Sequence, residues 1–249
     1  MTVPQKEGTL LKALIGPHAG FSYSGPTAAW AYKNITQPER YKRVLLLGPS
    51  HKVSIDFCAT TLCDEYVTPL GNLQIDKAGV KALCAIEDGT LFQQIDTKYE
   101  ENEHSLEMHI PYIRKVFQGR EDLLLLPVMV GQIPPSRSQK YGEALSQFML
   151  DDETLIVVSS DFCHWGERFD YQPRYQDPTK QLPIHQSIEN LDRAGMSLIE
   201  AHDLPGFVKY LSTHKNTICG RYPIQVLLAI LEAVAAAGTI TETKFVRYA

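Results

Sequence analysis

The chain has 249 residues, a formal net charge of −5, 44% hydrophobic and 21% charged residues, the composition of a globular domain long enough to bury a sizeable core. A weakly acidic balance without a basic block gives no electrostatic footprint for nucleic acid or an anionic membrane surface, and the longest apolar stretches, LLLLPVMV and VLLAILEAVAAAG, fall short of the ~18 residues a membrane-spanning helix needs. MTVPQKEGT at the N-terminus lacks the apolar core of a secretory signal, and Cys58, Cys63, Cys84, Cys163 and Cys219 are odd in number without framework spacing, so they read as reduced thiols of a cytoplasmic protein.

In chain order, the apolar run Leu10–Ile15 is the first buried strand. Gly25-Pro26 then opens a helix over TAAWAYKNI, with proline in the first turn. Val44–Leu47 is a second buried strand, and FCATTLCDEYVTPLGNLQID reads as a β-ribbon turning at Leu70-Gly71-Asn72. DKAGVKALCAI has helical spacing, and Asn102 is positioned to cap a helix whose apolar positions are Leu106, Ile110, Ile113 and Phe117, interrupted at Pro111. Leu123–Val130 is a third strand, placed towards an edge or bulged by Pro127, and Thr154–Ser159 is a fourth. SRSQKYGEALSQFML, HQSIENLDRAGMSLIEAH and PIQVLLAILEAVAAAG are helical, the last ending at Gly238. Strands alternating with helices, with no linker between them, predict one α/β domain over residues 1–249: a central, mainly parallel sheet with helices on both faces.

In such sheets ligands bind beyond the carboxyl ends of the strands. His18 follows the first strand, His51 the second, and Asp161 and His164 the fourth. Two imidazoles with a third anionic donor make a mononuclear transition-metal site; Asp161, Glu107 and Cys219 are candidates for the third donor, and residue types alone do not choose among them. Cys219 precedes Gly220 and Arg221, a setting in which a thiol pKa is expected to fall. In NEHSLEMHIPY, Glu107 or His109 is placed to orient a metal-binding histidine from behind. Tyr23, Trp165 and Arg221 stand close in sequence to these groups and are candidate pocket residues. No GxSxG, Walker or GxGxxG motif is present, which removes the α/β-hydrolase, phosphate-loop and dinucleotide readings.

Taken together and in order, PHAGFSYSG, LGPSH, NEHSLEMHIPY, VVSSDFCHWG and NTICGRYPI resemble the Memo family (mediator of ErbB-driven cell motility), over nearly the whole chain. The resemblance implies a fold similar to class III extradiol dioxygenases, which are non-haem iron enzymes. It also implies a metal pocket with His18, His51 and Cys219 as ligands, Asp161 beside them, and His164 in the place of the acid/base histidine. Where those dioxygenases use a glutamate ligand, this chain places Cys219. A thiolate is softer than a carboxylate and oxidisable, which favours a redox metal, iron or copper, with zinc as a further option, and disfavours ring cleavage. The implied function is a metal-dependent redox or signalling protein linked to motility. Two alternatives accompany it: the same pocket holding a phosphotyrosine peptide of a signalling partner without metal, with Arg221 facing the anion, or zinc-assisted hydrolysis.

Overall fold

The fold is taken from a computed structural model that describes residues 9–173 and 182–249. Among the described residues, eight strands form one sheet: β1 (Ala13–Gly16), β2 (Arg43–Pro49), β3 (Cys58–Thr60), β4 (Glu65–Tyr66), β5 (Leu73–Ile75), β6 (Phe92–Gln94), β7 (Leu124–Val130) and β8 (Thr154–Ser159). The helices are α1 (Phe21–Tyr32), α2 (Lys77–Cys84), α3 (Thr97–Glu100), α4 (His104–Glu107), α5 (Ile110–Val116), α6 (Pro135–Leu150), α7 (Ile184–Glu200), α8 (Leu204–His214) and α9 (Arg221–Ala236). None of the described helices is long and apolar enough to cross a membrane.

The spine runs β1-β8-β2-β7-β3-β6. β1, β8, β2 and β7 are all parallel. β3 joins β7 antiparallel, and β6 runs parallel to β3. Every residue of β8 is buried, as is every residue of β2 after Arg43 and of β7 after Leu124. Successive side chains point to opposite faces, so continuous burial means that both faces are covered. α9 lies against β2 and β8, α6 against β8, α4 against β2 and α1 against β1. The α/β class is therefore as expected, and the sheet is mainly parallel.

Four details depart from the sequence reading. Pro127 sits on a central strand, opposite Leu46 of β2, not at an edge or bulge. On the other flank of β7, β5 pairs up to Leu125 and β3 pairs from Val128; Pro127 falls where one partner gives way to the next, so its missing N–H costs the ladder little. α1 begins at Phe21 and carries Pro26 inside it. The cap of α4 is Glu103 and not Asn102, whose amide donates to the Lys98 carbonyl; Pro111 starts α5 as a separate helix. α8 has no counterpart in the periodicity reading, although Asp203 accepts from the Gly206 N–H at 2.8 Å as its cap.

Candidate functional site

Because β1, β8 and β2 are neighbours, the segments leaving their carboxyl ends meet at one rim. His18 lies two residues beyond Gly16, and its imidazole is 2% exposed. The Asp161 carboxylate accepts from the backbone N–H of His18 at 2.9 Å and of Ala19 at 3.3 Å, which ties the turn after β1 to the turn after β8. Ser159 donates its hydroxyl to the Ser105 carbonyl at 2.7 Å, so it must accept from His18, whose Nδ1 lies 2.6 Å away. That fixes the proton on Nδ1 and leaves a lone pair on Nε2. The freed Nε2 is 3.1 Å from Cys219 Sγ and 3.8 Å from Asp161 Oδ2.

His51 obeys the same rule with a different acceptor. Its backbone N–H donates to Glu103 Oε2, and its Nδ1 lies 2.8 Å from Glu103 Oε1. The His104 ring stacks on His51 with centroids 4.6 Å apart and meets His18 edge-on at 5.4 Å. Gly48, in LGPSH, lies close under α4: a Cβ there would come within 2.7 Å of Leu106 Cδ2 and 2.8 Å of Ser105 Oγ, so a larger residue would force those side chains to shift. Gly220 has the same role on the opposite side, since a Cβ would lie 2.3 Å from Ser160 Cβ. Cys219 Sγ in turn accepts from the Asp161 N–H at 3.2 Å.

Among the described residues, two donor sets form, each with ligand atoms within 4.8 Å of one another: His18, His51 and His104, and His18, Asp161 and Cys219. His18 belongs to both. The three ligands expected from the resemblance thus share His18 but divide between an imidazole side and a thiol side.

His164 is laced to the loop before Cys219: its N–H donates to Thr217 Oγ1 at 2.7 Å, and its Nδ1 donates to the Thr217 carbonyl at 3.0 Å, again leaving Nε2 free. It belongs to neither donor set. Glu107 faces solvent, and the carboxylate behind His51 is Glu103. His109 is fully buried, with Nδ1 2.7 Å from the Tyr32 hydroxyl and its ring close under Gly16. Tyr23 is 83% exposed, Trp165 donates to the Pro173 carbonyl at 3.2 Å, and the Arg221 guanidinium lies over the ring of Tyr222.

The electrostatics leave the His18 imidazole and the Cys219 thiol uncharged beside an ionised Glu103. Burial pushes His18 down to about 2, with the neighbouring His51, His109 and His104 adding to the shift. Burial, reinforced by the Asp161 charge, raises the Cys219 thiol to about 12, so the lowering expected from Arg221 does not occur. Cys163 is likewise pushed up to about 12 by burial and by Asp192. Burial would raise Glu103, but the His51 ring and the backbone N–H groups of His51 and Ser105 outweigh it and hold the carboxyl at about 2. The site therefore offers an unprotonated nitrogen on His18 and a protonated thiol on Cys219. All five cysteines are free thiols.

Sequence reasoning passed over His104 and Glu103. From NEHSLEMHIPY it chose Glu107 and His109 as the groups that orient a histidine, four and five residues further on from Glu103 and His104. The overlooked pair stands where the chain enters α4, where face periodicity carries no information. The available signal was the EH dipeptide ahead of a serine that could be fixed by a cap.

These features define a class: an α/β protein with imidazole, thiol and carboxylate donors gathered beyond the carboxyl ends of parallel strands. The chain belongs to the Memo family, whose family model, described as Memo-like protein, matches residues 2–249. It is 44% identical over 238 residues to the Protein memo-1 homolog of Caenorhabditis elegans, covering 95% of this chain and 66% of that protein. It is 42% identical over 239 residues to Protein MEMO1 of Homo sapiens, covering 96% of this chain and 78% of that protein. Among solved structures, an uncharacterized protein from Escherichia coli K12 superposes with a TM-score of 0.45 at 14% identity, covering 89% of this chain and 88% of that one.

Proposed function

We propose that the pocket holds a redox-active transition-metal ion, iron or copper, with His18, His51 and Cys219 as ligands, and that the chain acts as a metal-dependent redox or signalling protein. The observation that carries this reading is the unprotonated His18 Nε2, held by the Ser159 relay and standing 3.1 Å from Cys219 Sγ. The donor chemistry fits a cation: burial keeps a proton off His18, and the thiol gives up its proton only to something positively charged. Such an ion would supply one-electron chemistry or Lewis acidity at the rim. The residues around it do the rest. Ser159 orients His18, Glu103 orients His51, and His164 presents a free Nε2 suited to moving a proton. The reading extends to a cytoplasmic setting and to signalling partners.

Calorimetric titration with the metal tests it. Binding that releases the thiol proton weakens as pH falls from 8 to 6. Cys219→Ser is expected to lose at least tenfold in affinity at pH 8 and to lose part of that pH dependence. His164→Ala is expected to bind metal like the parent. Equal affinity of parent and Cys219→Ser at both pH values, or tight binding of a phosphotyrosine peptide by metal-free protein that metal does not alter, would overturn the proposal.

A further inference from the structure

Glu103 is the least ordinary group near the pocket: a carboxylate that is 1% exposed yet has no lysine or arginine within ion-pair reach among the described residues. Burying an unpaired carboxylate is costly unless hydrogen bonds replace the lost water. Here three hydrogen-bond donors converge on its two oxygens, with His104 Nδ1 nearby. Oε2 accepts the His51 backbone N–H. Oε1 accepts His51 Nδ1 at 2.8 Å and the Ser105 N–H at 2.9 Å, and His104 Nδ1 stands 3.4 Å from the same oxygen. The last distance exceeds a good hydrogen bond but is well within electrostatic reach. The stacked rings of His51 and His104 therefore share one anion, and their planes are only 26° apart.

We infer that Glu103 is a positioning residue that locks His51 in the Nδ1–H tautomer and draws His104 into register beside it, so that both rings offer Nε2 to the ion next to His18. Resting on the metal reading of the pocket, this adds His104 as a donor and assigns the carboxylate that aims two of the three imidazoles. A carboxylate behind a ligand histidine fixes its tautomer and raises its basicity, and losing it typically costs ten- to a hundredfold in metal affinity. Ser159 does for His18 what Glu103 does for His51, each accepting from a different ring.

Ring-nitrogen NMR of the metal-free protein at pH 8, where free imidazole is neutral, reads the tautomers directly. The parent is expected to show Nδ1–H on both His18 and His51. In Glu103→Ala, His51 should revert to the Nε2–H form that histidine favours in water, while His18 keeps its own tautomer; general loosening of the rim would move both. Zinc titration of the same variant should show a ten- to hundredfold loss of affinity. An unchanged His51 tautomer in Glu103→Ala overturns the inference. If that variant does not fold, the parent spectrum alone decides: Nε2–H on His51 overturns it and Nδ1–H supports it. Should the parent bind no metal while the His51 tautomer still depends on Glu103, the metal reading fails and the positioning role stands.

Discussion

Strand β2 carries Arg43 at its first residue and delivers His51 just beyond its last, and the two ends of the sheet handle charge in opposite ways. At the amino end, Arg43 Nε binds Asp76, and its Nη1 reaches Asp151 at 3.2 Å and Thr154 at 3.3 Å. Asp76 also caps α2 through the Gly79 N–H at 2.8 Å. Charges there are matched within the chain. At the carboxyl end the buried His18 imidazole and the Cys219 thiol are uncharged, and the Glu103 and Asp161 carboxylates accept from backbone and ring N–H donors. Matched charge holds elements together at the amino end, whereas the carboxyl end sets the His18 Nε2 beside the Cys219 thiol. The same strand supports both because a parallel sheet brings all its amino ends to one side and all its carboxyl ends to the other.

The largest expected effect separates the two ends. Arg43→Met leaves Asp76, 2% exposed, without its cation and should lower stability by about 3–5 kcal/mol. Chemical denaturation measures that loss, and metal affinity per folded molecule should not change. A variant that unfolds no more easily than the parent but binds metal differently would break the comparison, because the amino end would then be acting on the site.

Gly220→Ala addresses the opposite rim. Its Cβ would fall 2.3 Å from Ser160 Cβ and 2.5 Å from the Ser159 carbonyl, both backbone-anchored. Relief of that overlap should cost about 1–3 kcal/mol and move Cys219 away from His18. Denaturation together with metal titration reads both effects. Loss of stability with intact affinity would show that the thiol side of the site is not held as rigidly as the contacts indicate.

The smallest effect sharpens the contrast by pH. Burial lowers His109 from the ordinary 6.5 to about 4, so below 6.5 the unfolded chain takes up a proton that the folded one refuses. Its contribution to stability is present above pH 6.5 and is lost as pH falls towards 4, with a slope of at most about 1.4 kcal/mol per pH unit. His109→Gln should flatten that part of the stability–pH curve, although losing the Tyr32 bond lowers the whole curve. A slope identical to the parent's would show that His109 is not the group kept neutral by burial.

Much of the fold was legible in the sequence because it rests on short-range patterns. Continuous apolar runs marked β2, β7 and β8, and the histidines or acids just past three strand ends marked one rim. Pro127 misled because what makes a proline tolerable is whether its N–H has a partner to lose, and that depends on where β5 ends and β3 begins along β7. Glu103 and His104 were invisible for a related reason. Their importance comes from the stacking of His104 on His51, a residue far away in the chain, and from the burial of a carboxylate that looks like any surface glutamate in EENEH. The residue types at the rim, the parallel strands beneath them and the glycines in LGPSH and ICGRYP were thus determined by the sequence alone. Which nitrogen of each imidazole carries its proton was decided only in the tertiary structure, because Ser159, Glu103 and Thr217 reach their histidines from 141, 52 and 53 residues away. Only the packed sheet brings those acceptors within hydrogen-bond range.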